Sequence, residues 1–391
     1  MGSLVSDLII NQTYQIDIPE GFIVDSTGTS YAGTAWTFTS QPASNLLWAW
    51  GYNDYGILGQ NNVTEYSSPV QIPGTNWGDF DQDGSTAGVH ILNVKTDGTL
   101  WGWGYDSWGM LGLNNVNNGY SSPVQVGSAT DWNTVNNPYY ASYAIKTDGT
   151  LWAMGYNNNG QLGLNTSDNP GSVSSPTQVP GTTWSKISGS VQSAAAIKTD
   201  GTLWTWGAGD YGKLGHNSTA NISSPVQVPG TNWRSVSVYY HMVATKTDGT
   251  LWVWGNNPNG ELGQGSAGTP ARVSSPVQIP GTNWSSAVEA GKNTTFAVRT
   301  DGTLWGVGNN QTGELGINDT NNYSSPKQVP GTTWGTTQRT LQSSDGSTIA
   351  IKTDGTLWGW GNNEHGSLPL LPGHDTHRSS PIQIPGTWTS I

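Results

Sequence analysis

Apolar residues in this chain come in short alternating bursts separated by clusters of turn-forming residues. In one stretch Ala194-Ala195-Ala196-Ile197-Lys198 leads through Thr199-Asp200-Gly201-Thr202 into Leu203-Trp204-Thr205-Trp206. A period of two places both indoles on one face of a strand. Asp-Gly supplies the positive-φ positions that a two-residue hairpin requires. Trp184-Ser185-Lys186-Ile187 precedes this hairpin, and Pro225-Val226-Gln227-Val228 follows it before Pro229-Gly230 turns the chain. The unit therefore reads as four short strands. No stretch keeps the 3.6-residue period of an amphipathic helix beyond about two turns.

The unit recurs. A Leu-Trp pair ends in Trp48, Trp101, Trp152, Trp204, Trp252, Trp305 and Trp358, at spacings of 48 to 53 residues. A piece of that length cannot bury its own apolar face, so the copies must pack on one another. Of the 21 Trp, all but Trp36 and Trp108 fall on third strands or open first strands, the latter at Trp77, Trp132, Trp184, Trp233, Trp284, Trp334 and Trp388. Regularly placed indoles are expected to form the core between copies. The predicted fold is all-β, a seven-bladed β-propeller of four-stranded blades over residues 31–391. Residues 1–30 form a non-repeat N-terminal segment, a brace or a dock, with a candidate strand at Tyr14-Gln15-Ile16-Asp17-Ile18.

Closure of the ring follows from what the first copy lacks. It has no opening Trp, and its hairpin is degenerate at Pro42-Ala43-Ser44-Asn45. The missing strand stands at the other end as Trp388-Thr389-Ser390-Ile391. The ring is expected to be closed by this C-terminal strand pairing into the first blade beside residues 33–39, leaving no long exposed edge.

The phrase Leu251-Trp252-Val253-Trp254-Gly255-Asn256-Asn257-Pro258-Asn259-Gly260-Glu261-Leu262-Gly263 resembles the regulator-of-chromosome-condensation repeat. The resemblance covers about residues 31–391 and all seven copies, and it implies a seven-bladed propeller. Kelch repeats have a similar period but carry a Gly-Gly doublet, and none of the 53 glycines here adjoins another. The wording of the repeat loosely resembles that of bacterial and phage propellers of that family. Function does not follow from the fold.

Composition narrows the partners. Charged residues make up only 10% of the chain, and the formal net charge is −12. That balance disfavours nucleic acid, whose binding needs clustered Lys and Arg. Six of the 14 cationic residues, Lys95, Lys146, Lys198, Lys246, Arg299 and Lys352, occupy one repeated place before the hairpin and read as scaffold. Zero cysteine excludes disulfides and thiol chemistry. No apolar run is long enough for a membrane-spanning helix, so no membrane insertion is expected.

Up-and-down strands put alternate loops on opposite faces. The Asp-Gly hairpins and Pro-Gly links are near-identical, whereas the loops at the other end vary, and function collects on variable loops. There, a changing pair precedes a repeated Gly: Asp54/Tyr55, Ser107/Trp108, Asp210/Tyr211 and Glu364/His365 among them. Tyr55, Trp108, Tyr211, His365, Asp54 and Asp210 are the candidate partner-binding residues, for a protein or a surface glycan. Local packing over neighbouring loops is the competing reading of the aromatics.

Asp79-Phe80-Asp81-Gln82-Asp83-Gly84 carries the alternating oxygens and sixth-position Gly of a calcium loop, with Asp79, Asp81 and Asp83 as ligands. Its twelfth position is His90 rather than Glu, so a solvated acidic loop competes with calcium. No other cofactor is expected, and no catalytic constellation stands out. The leading expectation is a non-enzymatic binding or structural propeller, extracellular or displayed on a phage virion or bacterial surface, with virion or envelope proteins among its partners. The resemblance also implies two alternatives, an intracellular GTPase regulator and a secreted enzyme inhibitor.

Overall fold

A computed structural model describes residues 13–18, 34–39, 45–78, 89–167, 171–266, 268, 270–343, 346–363, 368 and 377–391. The chain divides into two compact units, Met1–Asn45 and Leu46–Ile391. In the first, the strand Thr13–Ile18 pairs antiparallel with Thr34–Thr39, Ile16 standing opposite Trp36.

The second unit is a succession of seven sheets. One of them shows how the repeat folds. Trp184–Gly189, Ser193–Lys198, Leu203–Gly207 and Ile222–Gln227 lie side by side in that order, each antiparallel to the next. Four-stranded sheets of the same order open at Trp132, Trp233, Trp284 and Leu341. The sheet containing His90–Val94, Leu100–Asp106 and Asn117–Gln125 has three strands, and a bridge from Trp77 to Lys95 marks its opening edge. Trp48–Gly51 and Tyr66–Gln71 form the first sheet, with two strands among the described residues. Opening strands of successive sheets touch one another, so they line the centre.

Each hairpin explains its own sequence. Gly201 takes φ 76°, and its N–H donates to the Lys198 carbonyl at 2.9 Å. The Asp200 carboxylate accepts from the Thr202 amide at 2.9 Å and from its hydroxyl at 2.7 Å. That hydroxyl oxygen in turn accepts from the Trp204 indole at 2.9 Å. Lys198 then seats its ammonium 4.7 Å from the Trp184 ring and 4.5 Å from Trp204. The ring quadrupole attracts the cation, so one residue bridges opening and third strands. The same two-indole seat holds Lys95, Lys146, Lys246, Arg299 and Lys352. All six repeated cations are scaffold.

The second indole of the third strand reaches across to the preceding blade. Trp206 is fully buried and donates Nε1 to the Gln161 carbonyl at 2.7 Å. Trp103, Trp254 and Trp360 do the same to Ile57, Lys213 and Glu314. Burying an indole of this size stabilises by about 3 kcal/mol. Side chains also cross the centre: the Lys186 ammonium donates to Gln338 Oε1 at 2.8 Å, and Gln338 Nε2 donates to the Val236 carbonyl at 3.3 Å.

The ends of the repeat meet differently from the expectation. Residues 388–391 form no strand, and Thr34–Thr39 pairs with Thr13–Ile18 instead of a C-terminal strand. Closure by strand pairing into residues 33–39 is therefore corrected. The Trp388 amide donates to the Gly355 carbonyl at 2.9 Å, as the Trp184 amide does to Gly149. Its ring packs edge-on to Trp50 in the first sheet. A ring contact, not a ladder, is what residues 388–391 supply to the first sheet.

Candidate partner-binding face

In five of the seven sheets the loop at the end opposite the hairpin is built on a buried Asn amide. In Gly-x-Asn-x-x-Gly-x-Leu-Gly the Asn side chain accepts from the Leu amide five residues on, as Asn157 does from Leu162 at 3.0 Å. Its Nδ2 donates back to the carbonyl of Thr166 at 3.0 Å. Asn53, Asn257 and Asn310 repeat both bonds, the second to the carbonyls of Asn62, Ser266 and Asp319. The following Gly must be bare: a Cβ on Gly160 would sit 2.6 Å from Ser223 Cα in the next blade's fourth strand. Anchored at both points, the turn presents the two residues between them to solvent.

Asp106 occupies the Asn place in the second blade. Its Oδ1 accepts from Leu111 N at 2.9 Å, whereas its buried Oδ2 has no hydrogen-bond partner. Burial pushes its pKa up to about 6, the Leu111 amide opposing in part. In the fourth blade Gly209 holds the place, and a short 3-10 turn, Asp210–Gly212, carries Tyr211 at φ 62°. The Lys213 ammonium meets Asp210 at 3.2 Å there.

Among the residues expected to bind, Asp54, Tyr55, Trp108, Asp210 and Tyr211 all lie exposed on these turns. The structure brings some together and leaves others apart. Tyr55 packs on Tyr105 of the next blade with centroids 4.6 Å apart, and Trp108 packs on Tyr156 of the blade after at 4.9 Å. Tyr140 joins Tyr156 at 6.1 Å and Tyr139 at 4.4 Å. Tyr52 donates its hydroxyl to Asp54 Oδ2 at 2.5 Å. That bond above all, then partial burial, the Asp54 charge, and Tyr55 and Tyr139, push the Tyr52 pKa up to about 12. Tyr52, Tyr55, Tyr105, Trp108, Tyr139, Tyr140 and Tyr156 thus form one patch over the first three blades. Tyr211 belongs to the fourth.

Local packing and exposure coexist. Tyr55 keeps 40% of its surface and Trp108 39% although both touch a neighbouring ring. Five of the seven patch aromatics were not singled out from sequence. The signal was present: Tyr52, Tyr105 and Tyr156 follow the repeated Gly four residues after the third-strand Leu, where later copies have Ala208, Asn256, Asn309 and Asn362. His365, Asp79, Asp81 and Asp83 lie outside the described residues. Among the described residues no group of three or more His, Asp or Glu is placed to hold a metal ion. No described helix is long and apolar enough to cross a membrane.

The two fully buried histidines work between blades. His90 Nε2 lies 2.6 Å from Ser142 Oγ, and His241 Nε2 lies 2.6 Å from Thr295 Oγ1. Burial pulls both pKa values down to about 3. The Thr295 hydroxyl donates onward to the Glu261 carbonyl at 2.7 Å, so His241 serves as the donor through its Nε2–H.

The regulator of chromosome condensation (RCC1) repeat matches residues 44–78, 148–197, 200–240, 248–298 and 301–338, and a second description of that repeat matches 286–314 and 341–367. The chain belongs to the RCC1 repeat family. Among its relatives, the ultraviolet-B receptor UVR8 of Arabidopsis thaliana is 23% identical over 94% of this chain and 70% of its own length. Human protein RCC2 is 28% identical over 44% of this chain, and the match spans 35% of RCC2. Yeast RCC1 (Prp20), solved bound to Kap60, superposes with a TM-score of 0.75 at 18% identity, covering 88% of this chain and 85% of that one. Human WBSCR16 has the same TM-score at 17% identity, covering 88% of this chain and 94% of that one. These two likenesses show the RCC1 propeller fold. The relatives named are eukaryotic, so a bacterial or phage type finds no support in them, nor do a virion location or an adhesin role.

Proposed function

We propose that this RCC1-family propeller is a non-enzymatic binding module that engages a protein partner through its variable loop face, the first three blades foremost. The contiguous, half-exposed aromatic patch from Tyr52 to Tyr156 carries this reading. Three of its seven rings, Tyr52, Tyr105 and Tyr156, stand where the later copies have Ala or Asn, whereas the Tyr139–Tyr140 pair recurs in the fifth blade as Tyr239–Tyr240. Tyr and Trp present large contact area at low entropic cost, and they dominate binding energy in protein interfaces. On the hairpin face the six repeated cations sit between indoles, and the six hairpin Asp side chains accept from Thr.

The test compares partners cross-linked to the chain in its native source, wild type against Tyr55→Ser with Trp108→Ser. Loss of the cross-linked partners in the double variant, with the thermal midpoint kept, is expected. Unchanged cross-links would remove the loop face from the function.

A location outside the cytosol, on a particle or envelope, is part of the same proposal and rests on the low charge and abundance of small polar residues. Density-gradient fractionation of the native source tests it. Co-migration with particles or envelopes is expected, and recovery as a free protein would send the location back to the cell interior or the medium.

A further inference from the structure

We infer that the aromatic patch of the first three blades takes a basic protein segment rich in arginine or lysine. This rests on the loop-face reading above and names the chemistry of its partner. Charge is distributed very unevenly along the chain. Between Leu46 and Ile145, Lys95 is the only cationic residue against eight Asp and Glu, whereas residues 146–391 set thirteen Lys and Arg against fourteen Asp and Glu. The net charge is thus −7 in the first stretch and −1 in the second. The first two blades and the opening half of the third hold most of the net negative charge of this propeller, with Asp97 and Asp131 at its hairpin end.

The one cation does not reach the patch. Lys95 sits at the hairpin end of its sheet, 4.8 Å from the Trp77 ring and 4.2 Å from Trp101. Asp54 stands at the loop end, beside Tyr52 and Tyr55, and the two ion pairs among the described residues, Lys146–Asp131 and Lys213–Asp210, both lie elsewhere. An incoming guanidinium or ammonium would find ring faces and an adjoining carboxylate, the combination that favours a cation at a partly desolvated surface. This chain already seats six of its own cations between aromatic rings on its other face. In the fourth blade the corresponding acid, Asp210, is met by Lys213, so Tyr211 lacks that charge complementarity.

Fluorescence anisotropy of the full chain with a fluorescein-labelled peptide of alternating Arg and Gly tests the assignment, beside a peptide with Gln in place of Arg. The Arg peptide is expected to bind, and to bind more weakly as salt screens the exposed charges. Tyr55→Ser with Trp108→Ser is expected to weaken it about tenfold, the scale of one to two lost cation–π contacts. Asp54→Asn is expected to weaken it less, and Tyr211→Ser not at all. No binding of the Arg peptide, equal binding of the Gln peptide, or affinity unchanged in the double variant would each overturn the basic partner. A neutral glycan or neutral protein that binds and is lost in the double variant would overturn it too, while leaving the loop-face reading standing. Retention of every native partner by a folded double variant would end both. Asp54→Asn, far from any core contact, keeps the test open if the double variant fails to fold.

Discussion

Trp388 sets its indole edge-on to Trp50, ring centroids 5.8 Å apart and planes at 66°. The geometry matches that of Trp184 on Trp206, at 6.1 Å and 64°, where opening and third strands of one blade meet. The last blade thus lends the first its opening indole. Trp388→Ala is expected to destabilise by about 2 kcal/mol, below the range for a fully buried indole because Trp388 is only half-buried. Urea unfolding checks this, and an unchanged midpoint would mean that the ends of the repeat are held by something else.

The cation seats predict a sharp difference between substitutions. Lys198→Met keeps the stem but removes the charge between Trp184 and Trp204, and is expected to cost about 1–2 kcal/mol. Lys198→Arg is expected to be tolerated, because Arg299 fills the same seat 4.9 Å from Trp284 and 4.5 Å from Trp305. Equal losses for both variants in a denaturant titration would show that the seat is set by packing, not by charge.

Asp106 should make stability fall with rising pH. Its pKa is about 6 in the folded chain against an ordinary 3.8, so the folded state favours the protonated acid. The contribution is fully present below about pH 4 and is lost as pH rises through about 6. Asp106→Asn gives the second blade the amide used by its neighbours, free to donate to the carbonyl nine residues on. A gain of about 2 kcal/mol at pH 7, shrinking toward pH 4, is expected. A pH-independent gain would contradict the titration.

The buried histidines pull the other way. His90 and His241 hold pKa values of about 3, below the ordinary 6.5, because burial penalises the imidazolium. Unfolded imidazoles take up protons as pH falls below 6.5, whereas these two cannot until the fold opens, so their share of stability declines with acid. Proton NMR is expected to show two imidazoles that do not titrate down to pH 5. Titration of all six His of the chain near 6.5 would place both rings in water.

The blades were legible in the sequence because their determinants are local. Lys198-Thr199-Asp200-Gly201-Thr202-Leu203-Trp204 closes a hairpin with bonds no more than four residues long, and a repeat of such hairpins leaves little freedom in how the copies stack. The repeated cations could be read as scaffold for the same reason, although only packing shows each one held by two indoles. The terminal strand was misread because a matching Trp does not guarantee a matching ladder. Trp388 keeps the Gly355 bond and the Trp50 contact of an opening indole, yet residues 388–391 form no strand.

The binding face divides the same way. The chain by itself determined the turns, since the Asn-to-Leu bond spans five residues and Gly160 has no room for a side chain, and it placed Tyr55, Trp108 and Tyr211 on them. Tertiary structure decided which of them act together. Tyr55 meets Tyr105 and Trp108 meets Tyr156 across blade boundaries, about fifty residues apart along the chain. It also decided that Asp210 faces Lys213 while Asp54 accepts from the Tyr52 hydroxyl, and that Asp106 lies where its second oxygen has no partner among the described residues. Such relations depend on how one blade sits against the next, and a hydrophobic period reports the face of a strand but not the side chain waiting on its neighbour.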